Sequence, residues 1–311
     1  MTVRAPLDFQ SVRSKVSALI AAENLPPHFV SIVERWYVPI AARVADTHAQ
    51  QDRPILVSVS GAQGSGKSTL TTLVRLLLKE IWQLNAVDVS LDDFYLTHAE
   101  RQQLAQDVHP LLATRGVPGT HDLRLACEVL EQLRHCSASQ PCQVPRFDKS
   151  MDDRQAKNNW TQVEHSVDVI LFEGWCLHAP VAEVNSLADP INTLEQQEDP
   201  DGVWRRYVNT ELARYHPLLF SQTDLLVYIA IPGFDQVYEW RQLQEQKLAE
   251  RVGSRLNKSV GVMNSAQLSR FIQHYERITR RCLEVLPQTA DLVLSLNATH
   301  GVEDLQLARF T

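Results

Sequence analysis

At 311 residues the chain can form one large α/β domain or two smaller ones. With 44% hydrophobic and 22% charged residues it reads as a globular protein, and its net charge of −7 argues against a general binder of nucleic acid or of membrane surfaces. The five cysteines (Cys127, Cys136, Cys142, Cys176 and Cys282) include no CxxC pair and fit free thiols in a reducing compartment. With no signal-like leader and no apolar run of about 18 residues, a cytoplasmic location is expected.

Residues 1–50 carry two stretches of helical apolar spacing, 8–23 and 27–48, split by Asn24-Leu25-Pro26-Pro27-His28. They are predicted to form an N-terminal helical extension packed on the core. A strand-length apolar run up to Ser60 then leads into a glycine-rich turn, and residues 69–82 have a helical apolar period. Residues 85–95 read as a second strand that ends in acids and aromatics. The polar stretch 97–122 reads as a loop because Gly116, Pro118 and Gly119 interrupt it. A helix is predicted over 123–135 and an extended, then polar, segment over 142–154. Further strands are predicted over 167–175, 224–232 and 290–297, with helices over 235–256 and 264–287. Between them, 185–203 is polar and turn-rich, an insertion or flexible loop. Strands alternating with helices imply a mostly parallel sheet covered on both faces. The expected fold is a three-layer α/β/α P-loop NTPase over residues 51–311, with the helical extension in front.

The turn Gly61-Ala62-Gln63-Gly64-Ser65-Gly66-Lys67-Ser68 satisfies G-x-x-x-x-G-K-[ST] at every fixed position. Its glycines let backbone N–H groups point inward at phosphate oxygens. Lys67 reaches the β- and γ-phosphates, Ser68 offers a hydroxyl to Mg²⁺, and Thr69 opens the helix whose positive end faces the anion. ATP and Mg²⁺ are therefore the expected cofactors. No His or Cys spacing suggests a transition metal, so the Mg²⁺ that accompanies a nucleotide is enough.

Acids at strand ends decide where the phosphate goes. Glu173 ends the apolar strand Val169-Ile170-Leu171-Phe172, where a carboxylate faces the ligand crevice of a parallel sheet and can hold the Mg²⁺ shell. Asp92 and Asp93 end the strand after the P-loop helix. A carboxylate here can accept the proton of an acceptor hydroxyl, and neighbouring side chains diverge, so one of the two is expected to serve. Tyr95 beside them is a candidate for acceptor contact. Arg115 and His121 in one loop, and Arg146 and Lys149 in the next, are candidate cations for an anionic acceptor. In the region 235–262, Arg241, Lys247 and Arg251 could close over the nucleotide as a lid.

Seven stretches, "GAQGSGKST", "SLDDFYLT", "RGVPGTHDL", "VPRFDKS", "VILFEGW", "EDPDGVWRRYVN" and "VYEWRQLQE", occur in the order seen in the D-glycerate 3-kinase family. Across about residues 50–300 the chain resembles that family, within the P-loop kinases that include uridine kinase, pantothenate kinase and phosphoribulokinase. The resemblance implies transfer of the γ-phosphoryl of ATP to a hydroxyl of D-glycerate, with Asp92 as base and Glu173 as the Walker-B-like acid. It also implies a small-molecule partner and no nucleic acid or membrane. Two alternatives stand beside it. One keeps the chemistry and changes the acceptor to a nucleoside or a pantothenate-like metabolite. The other is a nucleotide switch, against which Asn257-Lys258-Ser259-Val260 counts, because Val260 stands where a guanine-reading motif has aspartate.

Overall fold

The computed structural model describes residues 9–243 and 263–307. Six strands form one sheet: β1 (Ile55–Gly61), β2 (Ala86–Ser90), β3 (Val169–Gly174), β4 (Leu225–Ala230), β5 (Leu292–Leu296) and β6 (Val302–Leu307). Their spatial order is β6-β5-β4-β1-β3-β2. The first five pair in parallel and β6 runs antiparallel along β5. Every position of β1 is buried, as a strand covered on both faces requires.

Alternation along the strands sorts side chains between two apolar layers. Val57, Val59, Leu171 and Val227 face one layer, together with Leu70, Leu73 and Leu77 of the P-loop helix Lys67–Trp82. The N-terminal helices Arg13–Ala22 and Val38–Ala49 bury Val16, Ile20, Ile40 and Val44 in that same layer. Leu56, Ile170, Phe172 and Leu226 face the other, against helices Leu123–Arg134, Val203–Leu218 and Ser265–Thr289. The architecture is the expected three-layer α/β/α sandwich. No helix of the described residues is long and apolar enough to cross a membrane.

Several segments differ from their sequence reading, among them the strand expected over 85–95, which ends at Ser90 and passes into a 3-10 turn, Leu91–Phe94. Within 97–122, helix His98–Asp107 replaces loop, closed by a capping box in which Thr97 and Glu100 exchange hydrogen bonds. Its mostly polar surface conceals it from apolar periodicity, and Arg101 is its buried residue. The stretch 185–203 is no open loop. It contains helix Thr193–Glu198 and is tied down by two ion pairs with buried carboxylates, Asp199–Arg205 at 3.0 Å and Glu195–Arg277 at 2.5 Å. Strand β6 was unexpected because it is short, polar and largely exposed, as sheet edges tend to be. The helix predicted over 235–256 begins at residue 235 and is described to 243. Lys247, Arg251 and the segment 257–260 lie outside the described residues.

Candidate active site

The site lies beyond the carboxyl ends of β1, β2 and β3, where a parallel sheet opens its ligand crevice. β1 ends at Gly61, where an added Cβ would fall 2.8 Å from Ser65 Oγ and 3.0 Å from Ile229 Cβ, so a side chain there would collide with the turn. Gly64 and Gly66 take φ of 80° and 90°, a region that favours glycine. Lys67 Nζ curls back to donate to Ala62 O at 3.0 Å, and His300 Nε2 lies 3.0 Å from Gly64 O, bracing the turn from the β5–β6 connection. Ser68 Oγ and Ser90 Oγ both donate to Glu173 Oε1, at 3.2 and 2.8 Å. One carboxylate thus ties the P-loop helix to the end of β2.

Asp92 and Asp93 sit in a short 3-10 turn, Leu91–Phe94, with Ser90 Oγ accepting from Asp92 N. The turn sends them apart. Asp92 faces a cavity of about 240 Å³ that also reaches Lys67, Ser68 and Glu173. Its carboxylate accepts from Tyr95 Oη at 2.9 Å and Lys149 Nζ at 2.6 Å. Asp93 points the other way, accepting from Arg146 Nη1 at 2.6 Å and Phe147 N at 3.0 Å, and so anchors the ribbon made by Phe147–Asp148 and Asp153–Arg154.

The charges are mutually dependent. Burial alone would push Asp92 up, but Lys149 and the Tyr95 hydroxyl overcome it and hold the carboxyl at about 2. Asp92 is therefore ionised at neutral pH. Burial pushes Lys67 down while Glu173 and Asp92 oppose the shift. Burial pushes Glu173 up while Lys67 opposes it.

Of the four cations expected to face an acceptor, the fold brings two to the cavity. Arg115 and Lys149 line it, as do Tyr95 and Arg241. Arg146 and His121 do not, which corrects their sequence reading. Arg146 is committed to Asp93 and to Thr161 Oγ1 at 2.8 Å. His121 is buried beneath Tyr95, ring centroids 4.5 Å apart, with Nδ1 2.7 Å from Tyr215 Oη. Its Nε2 has no hydrogen-bond partner among the described residues. Sequence reasoning missed the aromatic wall of the cavity, Trp175, Phe271 and Tyr275. Trp175 directly follows the strand carrying Glu173, and that adjacency was the available signal. The other two are one helical turn apart on Ser265–Thr289 and look like ordinary core.

The remaining P-loop residues Ser65, Gly66 and Thr69 line a second, mostly apolar cavity of about 410 Å³ on the other flank of the turn. Leu25, Pro26 and Phe29 of the N-terminal extension form part of its wall, opposite Leu296 and His300. Two buried polar atoms of the turn, Ser65 Oγ and Gln63 Oε1, have no hydrogen-bond partner among the described residues. Of the two, the Ser65 hydroxyl can donate to a phosphate oxygen, and with a lysine and two left-handed glycines beside it the residues present fit a nucleotide's phosphate chain.

Burial also holds three histidines, His121, His178 and His274, at about 4, below the ordinary 6.5. They are neutral in the fold and take up protons on unfolding, so their stabilisation is complete above about pH 6.5 and is lost as pH falls towards 4. Thermal midpoints measured from pH 7.5 to pH 5 should decline, with net proton uptake on unfolding near pH 5. A flat profile would contradict the burial of these rings.

Sheet order, glycine-rich turn and strand-end acids define a P-loop phosphotransferase of the small-molecule kinase type. Residues 41–114 match the family model described as Zeta toxin. The uncharacterized kinase mug58 of Schizosaccharomyces pombe is 33% identical over 235 residues, 72% of this chain and 79% of that protein. The chloroplastic D-glycerate 3-kinase of Arabidopsis thaliana is 32% identical over 231 residues, 71% of this chain but 46% of that protein, so the chain spans under half of the plant enzyme's length. A solved D-glycerate 3-kinase from Cryptococcus neoformans superposes with TM-score 0.70 at 24% identity, over 88% of this chain and 99% of that one, a likeness of fold. The chain belongs to the family of P-loop kinases that includes mug58, and D-glycerate 3-kinases are among its relatives.

Proposed function

We propose that the protein transfers the γ-phosphoryl group of ATP to the primary hydroxyl of D-glycerate. The observation that carries this reading is a single cavity in which the P-loop lysine, an ionised aspartate and two cations, Arg115 and Lys149, face one another. The acceptor oxygen forms the new P–O bond as the bond from the γ-phosphorus to the β–γ bridging oxygen breaks. ADP leaves, and the hydroxyl proton passes to Asp92 and then to solvent. Lys67 spreads charge from the transferring group and Arg241 supports the same anion. Mg²⁺, held by Ser68 and Glu173, would neutralise phosphate charge when bound.

D-Glycerate offers one carboxylate and two hydroxyls, so most of its binding energy must come from a charge-assisted clamp. Arg115 has the planar fork that suits a carboxylate, and Lys149 adds a point charge. The apolar cavity beside Thr69 would receive the nucleobase.

The test is an acceptor screen following ADP release with ATP and Mg²⁺ across hydroxy acids, nucleosides, pantothenate and glycerol. D-Glycerate should lead and glycerol should be poor, because the clamp would be left unpaired. Efficient phosphorylation of glycerol or a nucleoside, with D-glycerate inert, overturns the acceptor and leaves a kinase.

A further inference from the structure

Arg101 is fully buried, an unusual place for a guanidinium unless it is paired. Its Nε donates to Leu96 O at 3.2 Å, Nη1 to Ala113 O at 2.9 Å and Nη2 to Asp152 O at 2.6 Å. Nη2 also lies 3.0 Å from Asp152 Oδ2. The other oxygen of that carboxylate, Oδ1, accepts from Arg115 Nη1. One aspartate is therefore shared by two arginines, one in the interior and one at the cavity. Both guanidinium carbons lie over the Phe147 ring, 5.8 and 5.6 Å from its centroid. Asp152 itself has φ of 54°, an uncommon conformation for a residue with a side chain, held by these contacts.

The backbone of Arg115 is fixed as well. Tyr275 Oη donates to Arg115 O at 3.1 Å, and Trp175 Nε1 donates to Gly116 O at 2.9 Å. Lys149 differs. It is largely exposed and already paired with the catalytic carboxylate. Arg115 is the cation held at both ends.

We infer that Arg101 is a positioning residue for the acceptor site: by sharing Asp152 with Arg115 it keeps the Arg115 guanidinium fixed at the cavity and still cationic enough to clamp a carboxylate. A lone Asp152 would form a one-to-one pair that cancels the charge of Arg115 and competes with any incoming anion. With Arg101 drawing on the same carboxylate, the cluster carries a net positive charge, and Arg115 Nε and Nη2 serve the acceptor. The inference rests on the glycerate reading above.

The variant Arg101→Gln keeps an amide with two N–H donors for the three carbonyls and removes the competing charge. KM for D-glycerate should rise by about tenfold or more while KM for ATP changes little. Arg101→Lys restores the charge without the fork and should recover most of that loss, which a purely structural role would not allow. If Arg101→Gln does not fold, Asp152→Asn serves, because Asp152 is partly exposed. Freed of its competitor but no longer held, Arg115 should then give an unchanged or lower KM for D-glycerate and a kcat reduced about tenfold. Equal failure of the Gln and Lys variants, a KM change in ATP alone, or a raised glycerate KM in Asp152→Asn overturns the inference. A wild-type enzyme inert towards D-glycerate and every other carboxylate acceptor fails the functional reading and this inference with it. An enzyme active on a carboxylate but indifferent to these variants fails the inference alone.

Discussion

Lys67→Ala should remove nearly all phosphoryl transfer, by a factor on the order of 10²–10³ or more, from a protein that still folds. Lys67 opens the helix after the P-loop, and its half-buried side chain lines the cavity that Glu173 and Asp92 also line. Among the described residues its ammonium donates to the Ala62 carbonyl of its own turn, so truncation disconnects no distant element. On the proposed mechanism, what disappears is the cation that would face the charge building on the migrating phosphoryl. Single-turnover measurements with radiolabelled ATP, beside a thermal melt, separate chemistry from folding. Near-normal turnover by a folded Lys67→Ala protein would refute the assignment of this turn as the phosphate site.

Asp92→Asn and Asp93→Asn should fail in different ways. Asparagine at 92 keeps the shape of the turn but cannot accept the acceptor's proton, so transfer should fall by about 10²–10⁴ while ATP still binds. Because Lys149 and Tyr95 hold Asp92 at about 2 against the pull of burial, its ionisation should leave no step in a rate profile measured above about pH 3. Asparagine at 93 leaves the cavity intact and weakens the charged hydrogen bond to Arg146, which should cost about 1–3 kcal/mol of stability with a smaller loss of rate. Rates and denaturant midpoints on both variants distinguish the roles. A dead Asp93→Asn beside a working Asp92→Asn would exchange them.

The readable part of this protein was chemistry that neighbouring residues complete on their own. A phosphate-binding turn needs its glycines and lysine at set spacing, so Gly61 to Ser68 announced themselves without any knowledge of the fold. The apolar run ending in Glu173 likewise located β3, and the run before the acid pair located β2, although Asp92 falls in the 3-10 turn that follows it. Helix His98–Asp107 was half readable, since Thr97 and Glu100 spell a capping box, yet its polar surface gave no periodic signal. The antiparallel edge strand mixes Val302 and Leu305 with Glu303, Asp304 and Gln306 and is mostly exposed, so its apolar pattern was too weak to read.

The loops between β2 and β3 were a different problem. Arg115, His121, Arg146 and Lys149 are equally plausible anion ligands in one dimension, and only the folded chain distributes them. Asp93 captures Arg146 from 53 positions away, and Asp152 holds Arg115 from 37 positions away, in a cluster completed by Arg101. His121 is carried under Tyr95 and made neutral by burial. A cation's role follows from which carboxylate reaches it and how much water it keeps, and both are settled by contacts between distant segments. The sequence by itself therefore determined the glycine-rich turn and the acids at the strand ends. The tertiary structure decided which cations remain available to an acceptor.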